Sequence, residues 1–411
     1  MMRREALLAI RSVTLVGVLS FVVGIGFARF AYTPLLPMML RDHTIDLQEG
    51  AALASLHYLG YFLGALFSML LPWLLRQCRC RIPQQSSLLR YNLLAITLFI
   101  FGMALPFPAL WPFFRFATGF SSALAFIYTS AWTLQCLAEL GALSLSALVY
   151  SGPGLGIILS GLIATIMLWF HCSSTMAWLG FALLAAFLTG IIWTHLREGD
   201  GRTHALLGMR DAFIPLEERW HWEHLLFSIA YGLAGFGYII TATFLPVIAH
   251  ETISSACWVN FLWPLFGIGV VLGALSAQKI PRNIDRRLLL FSAYLMQSLG
   301  VFLPHWFNNQ WGFFLGIFLL GFPFNLISLL AMQEARRLSP VKTTIFMSSL
   351  TAMYAIGQIL GPSLTSYFLT KSNNHAEGFL VSLSVASGSL LLGGFLCLFL
   401  KFYYPSGVFH D

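Results

Sequence analysis

Residues 60–66 read Gly-Tyr-Phe-Leu-Gly-Ala-Leu, and residues 269–275 read Gly-Val-Val-Leu-Gly-Ala-Leu. The two stretches lie 209 residues apart, and the same shift aligns what surrounds them. Gly26-Phe27 falls on Gly235-Phe236, Leu36-Pro37 on Leu245-Pro246, and Pro72 on Pro281. Leucine matches are common in apolar sequence. Glycine and proline matches held in one frame, across two apolar segments and the loop between them, mark an internal repeat. The chain reads as two related halves laid end to end.

Both halves are built for lipid. Of 411 residues, 58% are apolar and only 9% are Asp, Glu, Lys or Arg, against roughly 25% charged in ordinary globular proteins. So few charges leave a compact globule that water cannot wet, which excludes a soluble enzyme, a disordered chain and a soluble nucleic-acid-binding module. The uncharged runs are Gly50–Leu75, Tyr91–Phe114, Phe116–Ala138, Leu140–Leu196, His224–His250, Thr252–Gln278, Leu288–Gln333, Thr343–Thr370 and Gly378–Leu400, with Ser12–Leu40 interrupted only by Arg29. A membrane-crossing helix needs about 20 mostly apolar residues. Two runs are double length and split near His171–Thr175 and His305–Gln310, which predicts twelve spans. The first span is too long for a cleavable signal peptide and lacks a small-residue processing site.

Orientation follows from the basic residues. With the N-terminus cytoplasmic, 19 of the 23 Lys and Arg fall on cytoplasmic loops, Arg41 and Lys371 fall outside, and Arg29 and Arg115 lie within spans. This distribution accounts for the net charge of +7 without a polyanion partner. Trp73, Trp111, Trp169, Trp193, Trp220, Trp222, Trp306 and Trp311 fall near span ends, where an interfacial belt belongs. The long charged segment Arg197–Glu223 reads as a cytoplasmic linker between a bundle at 1–196 and a second at 224–411. The cysteines are scattered, and Cys78-x-Cys80 is flanked by Arg76, Arg79 and Arg81, which oppose cation binding. No metal or cofactor is expected.

Two six-helix halves, inward termini and a charged central loop resemble the major facilitator superfamily over essentially the whole chain. Gly24–Met39 (GIGFARFAYTPLLPMM) resembles the first-helix signature of its YbfB/YjiJ-type group, permeases labelled sugar-efflux-like. Arg115-Phe-Ala-Thr-Gly119, followed by small residues to Ala123, resembles the superfamily's fourth-helix motif. Tyr150-Ser-Gly-Pro-Gly-Leu-Gly156 with Gly161 resembles the fifth-helix Gly-Pro motif associated with antiporters, which implies export by exchange. The loop after span two departs from the family: Leu71–Arg81 keeps the basic residues but not the Asp and Gly, so a gating ion pair through that Asp is not implied. The resemblance implies a secondary transporter, not an enzyme, working as a monomer on a small solute with a co- or counter-transported ion.

Charged residues inside a membrane usually face a cavity or a partner. Arg29 lies 17 residues into span one, about 25 Å from its cytoplasmic end at 1.5 Å per residue, and Tyr32 is three positions on. Its repeat equivalent is Tyr238, so the charge is not duplicated. His57 and Tyr61 share a face of span two. Arg115 enters span four, with Ser122, Thr129 and Trp132 further along. These residues predict a cavity wall that is cationic above, polar and aromatic below; the arginines point to an anionic substrate, whereas the family resemblance implies neutral sugars or drugs. From the second half come Tyr231, Tyr238, Thr241, Asn260, Trp263, Asn325, Ser328, Tyr354 and Gln358. Gly60, Gly64, Gly269, Gly273, Gly152, Pro153 and Gly156 are expected at packing and hinge positions. No acidic residue lies in mid-span, since Glu49, Glu139, Glu251 and Glu334 all fall near ends, so proton coupling would fall to His57 or Glu139. His221-Trp-Glu223-His224 lacks the spacing of a zinc-hydrolase helix, and no phosphate-binding Gly-Lys-Ser/Thr loop is present. The alternative to a transporter is a transport-inactive receptor or scaffold using the 197–223 loop.

Overall fold

The computed structural model describes residues 2–79, 83–207, 221–252, 256–281, 284–307, 309–371 and 375–404, with side chains at 2–4, 47, 197–207, 243–252, 256–260, 366, 369–370 and 375–376 outside that description. Helices form nearly all of it, and no strand occurs among the described residues. The N-terminal set comprises α1 (Met2–Phe21), a π-helical stretch (Val22–Phe30), α2 (Tyr32–Arg41), α3 (Leu47–Gln77), α4 (Gln85–Gly102), α5 (Trp111–Glu139), the short α6 (Ser146–Val149), α7 (Gly152–Trp169) and α8 (Ser174–Leu207). The C-terminal set comprises α9 (Trp222–Thr252), α10 (Ala256–Ser276), α11 (Arg286–Trp306), α12 (Gln310–Leu338), α13 (Thr343–Lys371) and α14 (His375–Tyr403).

Among the described residues, eleven helical stretches are long and apolar enough to cross a membrane. Helix α4 is the shortest candidate for a twelfth, since its 18 residues include Gln85, Arg90 and Asn92. The breaks foreseen at His171–Thr175 and His305–Gln310 fall between α7 and α8 and between α11 and α12. The boundary ahead of span four lies a few residues before Arg115, as expected of a charge within that span. The chain turns at 103–110, around Pro106 and Pro108, and Arg115 lies inside α5. Helix α8 runs on to Leu207, through the start of the segment read as a linker, and residues 208–220 are outside the described set.

Side chains that would be core in water face outward here: Trp169 is 83% exposed, Phe187 65% and Leu183 63%. Without water between the helices, burial of apolar surface cannot drive them together, and close backbone packing takes over. Gly60 and Gly64 of α3 lie against α5, where an added Cβ would strike the carbonyls of Phe116 and Phe120. Gly269 and Gly273 of α10 lie against α12 in the same way, opposite the carbonyls of Phe318 and Phe322. The repeated glycine stretches thus make the same helix crossing twice. The two sets meet where α7 packs on α10 and α3 on α13. At the first junction the Cα atoms of Gly154 and Gly267 each face the other's carbonyl.

Charged side chains bolt the helix ends. In the C-terminal set, Arg287 Nε donates to Glu334 at 2.8 Å, its Nη1 donates to the carbonyls of Leu400 and Tyr404 at 2.6 and 2.7 Å, and its Nη2 donates to Glu223. Arg337 donates to both Glu334 oxygens at 2.5 and 2.9 Å. The starts of α9 and α11 and the ends of α12 and α14 are thereby joined. Glu334, expected near a span end, is indeed in the last turns of α12 but only 1% exposed. At the opposite end of the N-terminal set, Asp42 accepts from the Ser174 backbone at 2.5 Å and from Arg41 at 2.7 Å, joining α2 to α8. Burial opposes its charge, but the bonds from Ser174 and Arg41 outweigh burial and hold the carboxyl below the ordinary carboxylate range.

This packing sets the cost of substitutions. Gly64→Ala and Gly273→Ala force helix backbones apart and each cost about 1–3 kcal/mol. Gly190→Ala and Gly388→Ala, where a Cβ meets nothing within 4 Å, leave the midpoint of thermal unfolding in detergent unchanged or raise it. Glu334→Gln removes a counter-charge from buried Arg287 and half-buried Arg337 and costs on the order of 3 kcal/mol, whereas Arg286→Gln, which removes one 3.3 Å bond to Gln333, stays within about 0.5 kcal/mol in the same melt. Asp42 stabilises the fold at neutral pH, and that contribution is lost as pH falls through its lowered pKa. Asp42→Asn therefore narrows the gap between neutral and acid melting temperatures.

Candidate functional site

The first helix changes pitch over Val22–Phe30, and every residue of that π-helical stretch is buried. Glycines let neighbours approach it: the Cα atoms of Gly26 and of Gly156 in α7 face each other so closely that a Cβ on either would lie 2.5 Å from the other. From α5, Ser122 Oγ donates to the Gly24 carbonyl at 2.5 Å, and Arg115 Nη1 donates to the Ala28 carbonyl at 3.3 Å. A π-helical stretch is frequently a mark of a functional site. Here it carries Arg29.

Arg29 is 6% exposed and reaches from the N-terminal set into the C-terminal one. Its Nη2 donates to the Tyr238 hydroxyl of α9. With the Gln358 amide assigned from this network, its oxygen faces Arg29. It then accepts from Arg29 Nη1 at 3.1 Å, from Nη2, and from the Tyr238 hydroxyl at 2.8 Å. Arg29 Nε has no partner among the described residues. The guanidinium carbon lies 5.0–5.7 Å from the ring centres of Phe30, Tyr58, Tyr61 and Tyr238, within cation–π range. The ionisable groups that act on it are tyrosines: Tyr238, Tyr58, Tyr354 and Tyr61. Among the described residues, Glu334 is the one buried carboxylate, and it is engaged at the far end of α12.

Beside Arg29 lies a cavity of about 20 Å³, room for one or two waters. Ile25, Tyr61, Phe126 and Pro153 line it from the N-terminal set. Tyr231, Phe324, Asn325, Ser328, Thr351 and Tyr354 line it from the C-terminal set. Its aromatic wall is continuous: Tyr354 lies 4.8 Å from Tyr231 and 5.8 Å from Tyr238, centre to centre, and Tyr238 lies 4.7 Å from Phe324. Tyr231 donates to Ser328 at 3.1 Å. Toward the end of the bundle that carries Arg76 and Arg286, neutral and backbone-directed bonds join the two sets. Asn325 donates to the Tyr150 carbonyl at 2.7 Å, Gln333 to Ser146 at 3.0 Å, Arg336 to the Leu134 carbonyl at 2.8 Å, and Ser348 to Ser68 at 3.1 Å.

The residues singled out from sequence separate into groups. Arg29, Tyr61, Tyr238, Asn325, Tyr354 and Gln358 gather at this junction, as do Tyr231 and Ser328. Pro153 lines the cavity just after the break at Tyr150–Ser151 that divides α6 from α7, with Gly152 against the Val18 carbonyl. Arg115, expected in the upper cavity wall, is buried away from the cavity. Its guanidinium lies 4.2 Å from the Tyr32 ring centre, and its bond goes to Ala28. Tyr32 lies outside the cavity lining, with its ring under the Arg115 guanidinium. Its hydroxyl donates to the Gly50 carbonyl at 2.8 Å instead.

His57 is 1% exposed at the α3–α5 crossing, its backbone against Gly119, and neither of its ring nitrogens has a hydrogen-bond partner among the described residues. Trp263 packs between Phe30 and Phe266, with centres 5.9 and 5.6 Å away. Thr241 and Trp132 are buried outside the cavity lining, and the Asn260 side chain lies outside the described residues. Thr351, Phe126, Phe324, Ile25 and Tyr58 were not anticipated. Apolar and hydroxyl side chains lining a cavity carry no sequence signal that separates them from helix packing.

Among the described residues no group of three or more His, Cys, Asp or Glu is placed to hold a metal ion. No curated protein matches the chain. The family described as uncharacterised MFS-type transporter YbfB matches residues 21–398, which includes every residue of the junction. The chain belongs to that family, and the protein is a multi-pass membrane transporter of the major facilitator superfamily.

Proposed function

We propose that this transporter moves a small organic anion by alternating access, with Arg29 holding the anionic group. The observation that carries this reading is a guanidinium buried between the two sets of helices, beside a cavity, with no carboxylate facing it among the described residues. A charge held in a membrane interior without a counter-charge is costly, and a solute anion supplies that counter-charge. Arg115 also lacks a facing carboxylate and its Nε has no partner among the described residues, but it lies outside the cavity lining, so Arg29 is the cation placed to meet a solute. The tyrosine and phenylalanine wall suits a planar or ring-bearing body.

The proposed frame is twelve spans in two six-helix bundles, 1–196 and 224–411, with 197–223 between them and both termini on the cytoplasmic face of a bacterial inner membrane. The recurring glycine crossings and the 209-residue repeat support it. The bundles rock about the cavity as a monomer, and the jointed, glycine-rich passage from α6 into α7 supplies the bend. The Gly-Pro pattern of α7 supports export.

Matched pairs of solutes that differ only in charge test the substrate class. Benzoate against benzamide, lactate against lactamide, and gluconate against glucose are compared by thermal shift of the purified protein and by uptake into reconstituted vesicles. At least one acid stabilises and is transported where its neutral twin is not. Arg29→Gln weakens that acid by about 30-fold or more, the lower bound of removing one partner from a buried charged pair, and Arg29→Lys retains part of the affinity. Equal responses to an acid and its neutral twin, unchanged in Arg29→Gln, overturn the reading.

A further inference from the structure

Arg29 belongs to the N-terminal set, yet the side-chain groups that hydrogen-bond it both belong to the C-terminal set. Tyr238 and Gln358 make a closed triangle with it: the guanidinium donates to both oxygens, and the phenol hydroxyl donates its own proton to the amide oxygen. Neither partner is charged. Both present oxygen acceptors to a guanidinium, as a carboxylate does with its two oxygens. The adjoining cavity, at about 20 Å³, is too small for an organic solute, so this closed arrangement is one in which protein groups occupy the place of the solute anion.

We propose that Tyr238 and Gln358 act as a built-in surrogate for the substrate anion, so that the empty carrier closes around Arg29 without a solute. The proposal rests on Arg29 being the anion partner, and it names what that residue does when no anion is bound. A carrier whose buried cation has no partner when empty is locked open, because closing would strip water from an uncompensated charge. That carrier can only exchange one loaded solute for another. Here two neutral acceptors solvate the cation in place of water, and the return half of the cycle proceeds unloaded. This departs from the strict exchange that the fifth-helix pattern implies.

The test needs no substrate, so its outcome is independent of the solute comparisons above. Thr351, buried in the cavity wall, is replaced by cysteine. The rate at which a membrane-impermeant thiol reagent labels that position is followed by peptide mass spectrometry in solute-free buffer, with exposed Cys78 as internal reference. Labelling at 351 is slow in the otherwise native chain. It rises about tenfold or more when Tyr238→Phe and Gln358→Met are added, since Tyr238→Phe keeps the ring stacking and removes only the hydroxyl. Adding Arg29→Leu to that background returns the rate to its slow value, because no charge is left to keep the cavity open. An unchanged rate in the Tyr238→Phe, Gln358→Met protein overturns the proposal. So does a raised rate that Arg29→Leu fails to reverse, which would assign the opening to lost packing. If the combined variant does not elute as a folded species, Gln358→Met alone replaces it, with a smaller rise expected and an unchanged rate again overturning the proposal.

Discussion

A positive charge buried away from water has nowhere to shed its field, and this protein resolves that constraint in three distinct ways. Arg287 takes the costly and rigid solution, an ion cluster with Glu334 and Glu223 plus two helix-terminal carbonyls. Arg115 takes a backbone solution, donating to a carbonyl of the altered first helix with an aromatic ring beneath it. Arg29 receives only neutral oxygens and ring faces. The first two bind helices of one set to each other and suit parts that move as a body. The third spans the two sets and is the kind of contact that must break when they part.

The remainder of the packing observes the same division. Glycines of α3 and α10 give their own sets backbone-to-backbone contact with α5 and α12, and side chains cannot slide through such contacts. Across the junction, the bonds toward the basic end are single and run between neutral groups or from a side chain to a carbonyl, such as Asn325 to Tyr150 and Arg336 to Leu134. Bonds of this kind carry roughly 1 kcal/mol each, small enough to be exchanged during a transport cycle.

Membrane helices were legible because lipid imposes length and charge exclusion on every segment, and the repeat was legible because glycine and proline tolerate few replacements. Arg29, Tyr238 and Gln358 could each be named from the rarity of polar groups in apolar runs. Their meeting could not, since it depends on how two helices 209 residues apart are set against each other. Arg115 misled for a physical reason. Charge marks a place where a partner is needed, and sequence does not say whether that partner is a solute or a carbonyl two helices away. The bond from Tyr32 to the Gly50 carbonyl, between segments 18 residues apart, was likewise not legible from spacing. Glu334 looked terminal by position yet is sealed by α9, α11 and α14, and nothing in the linear order of residues reports that enclosure.

Arg29 and Tyr238 hold corresponding places in the repeat and are also in contact. In the proposed two-bundle frame, two positions that are both equivalents and neighbours sit beside the axis relating the halves. Had the repeats stayed separate and identical chains associating as a homodimer, that spot would confront an arginine with its own copy, a repulsive pair, or a tyrosine with its copy and no cation at all. A donor facing an acceptor there requires the two copies to differ in sequence. Loss of interchangeability between the halves is therefore a condition for having a charged centre in this carrier.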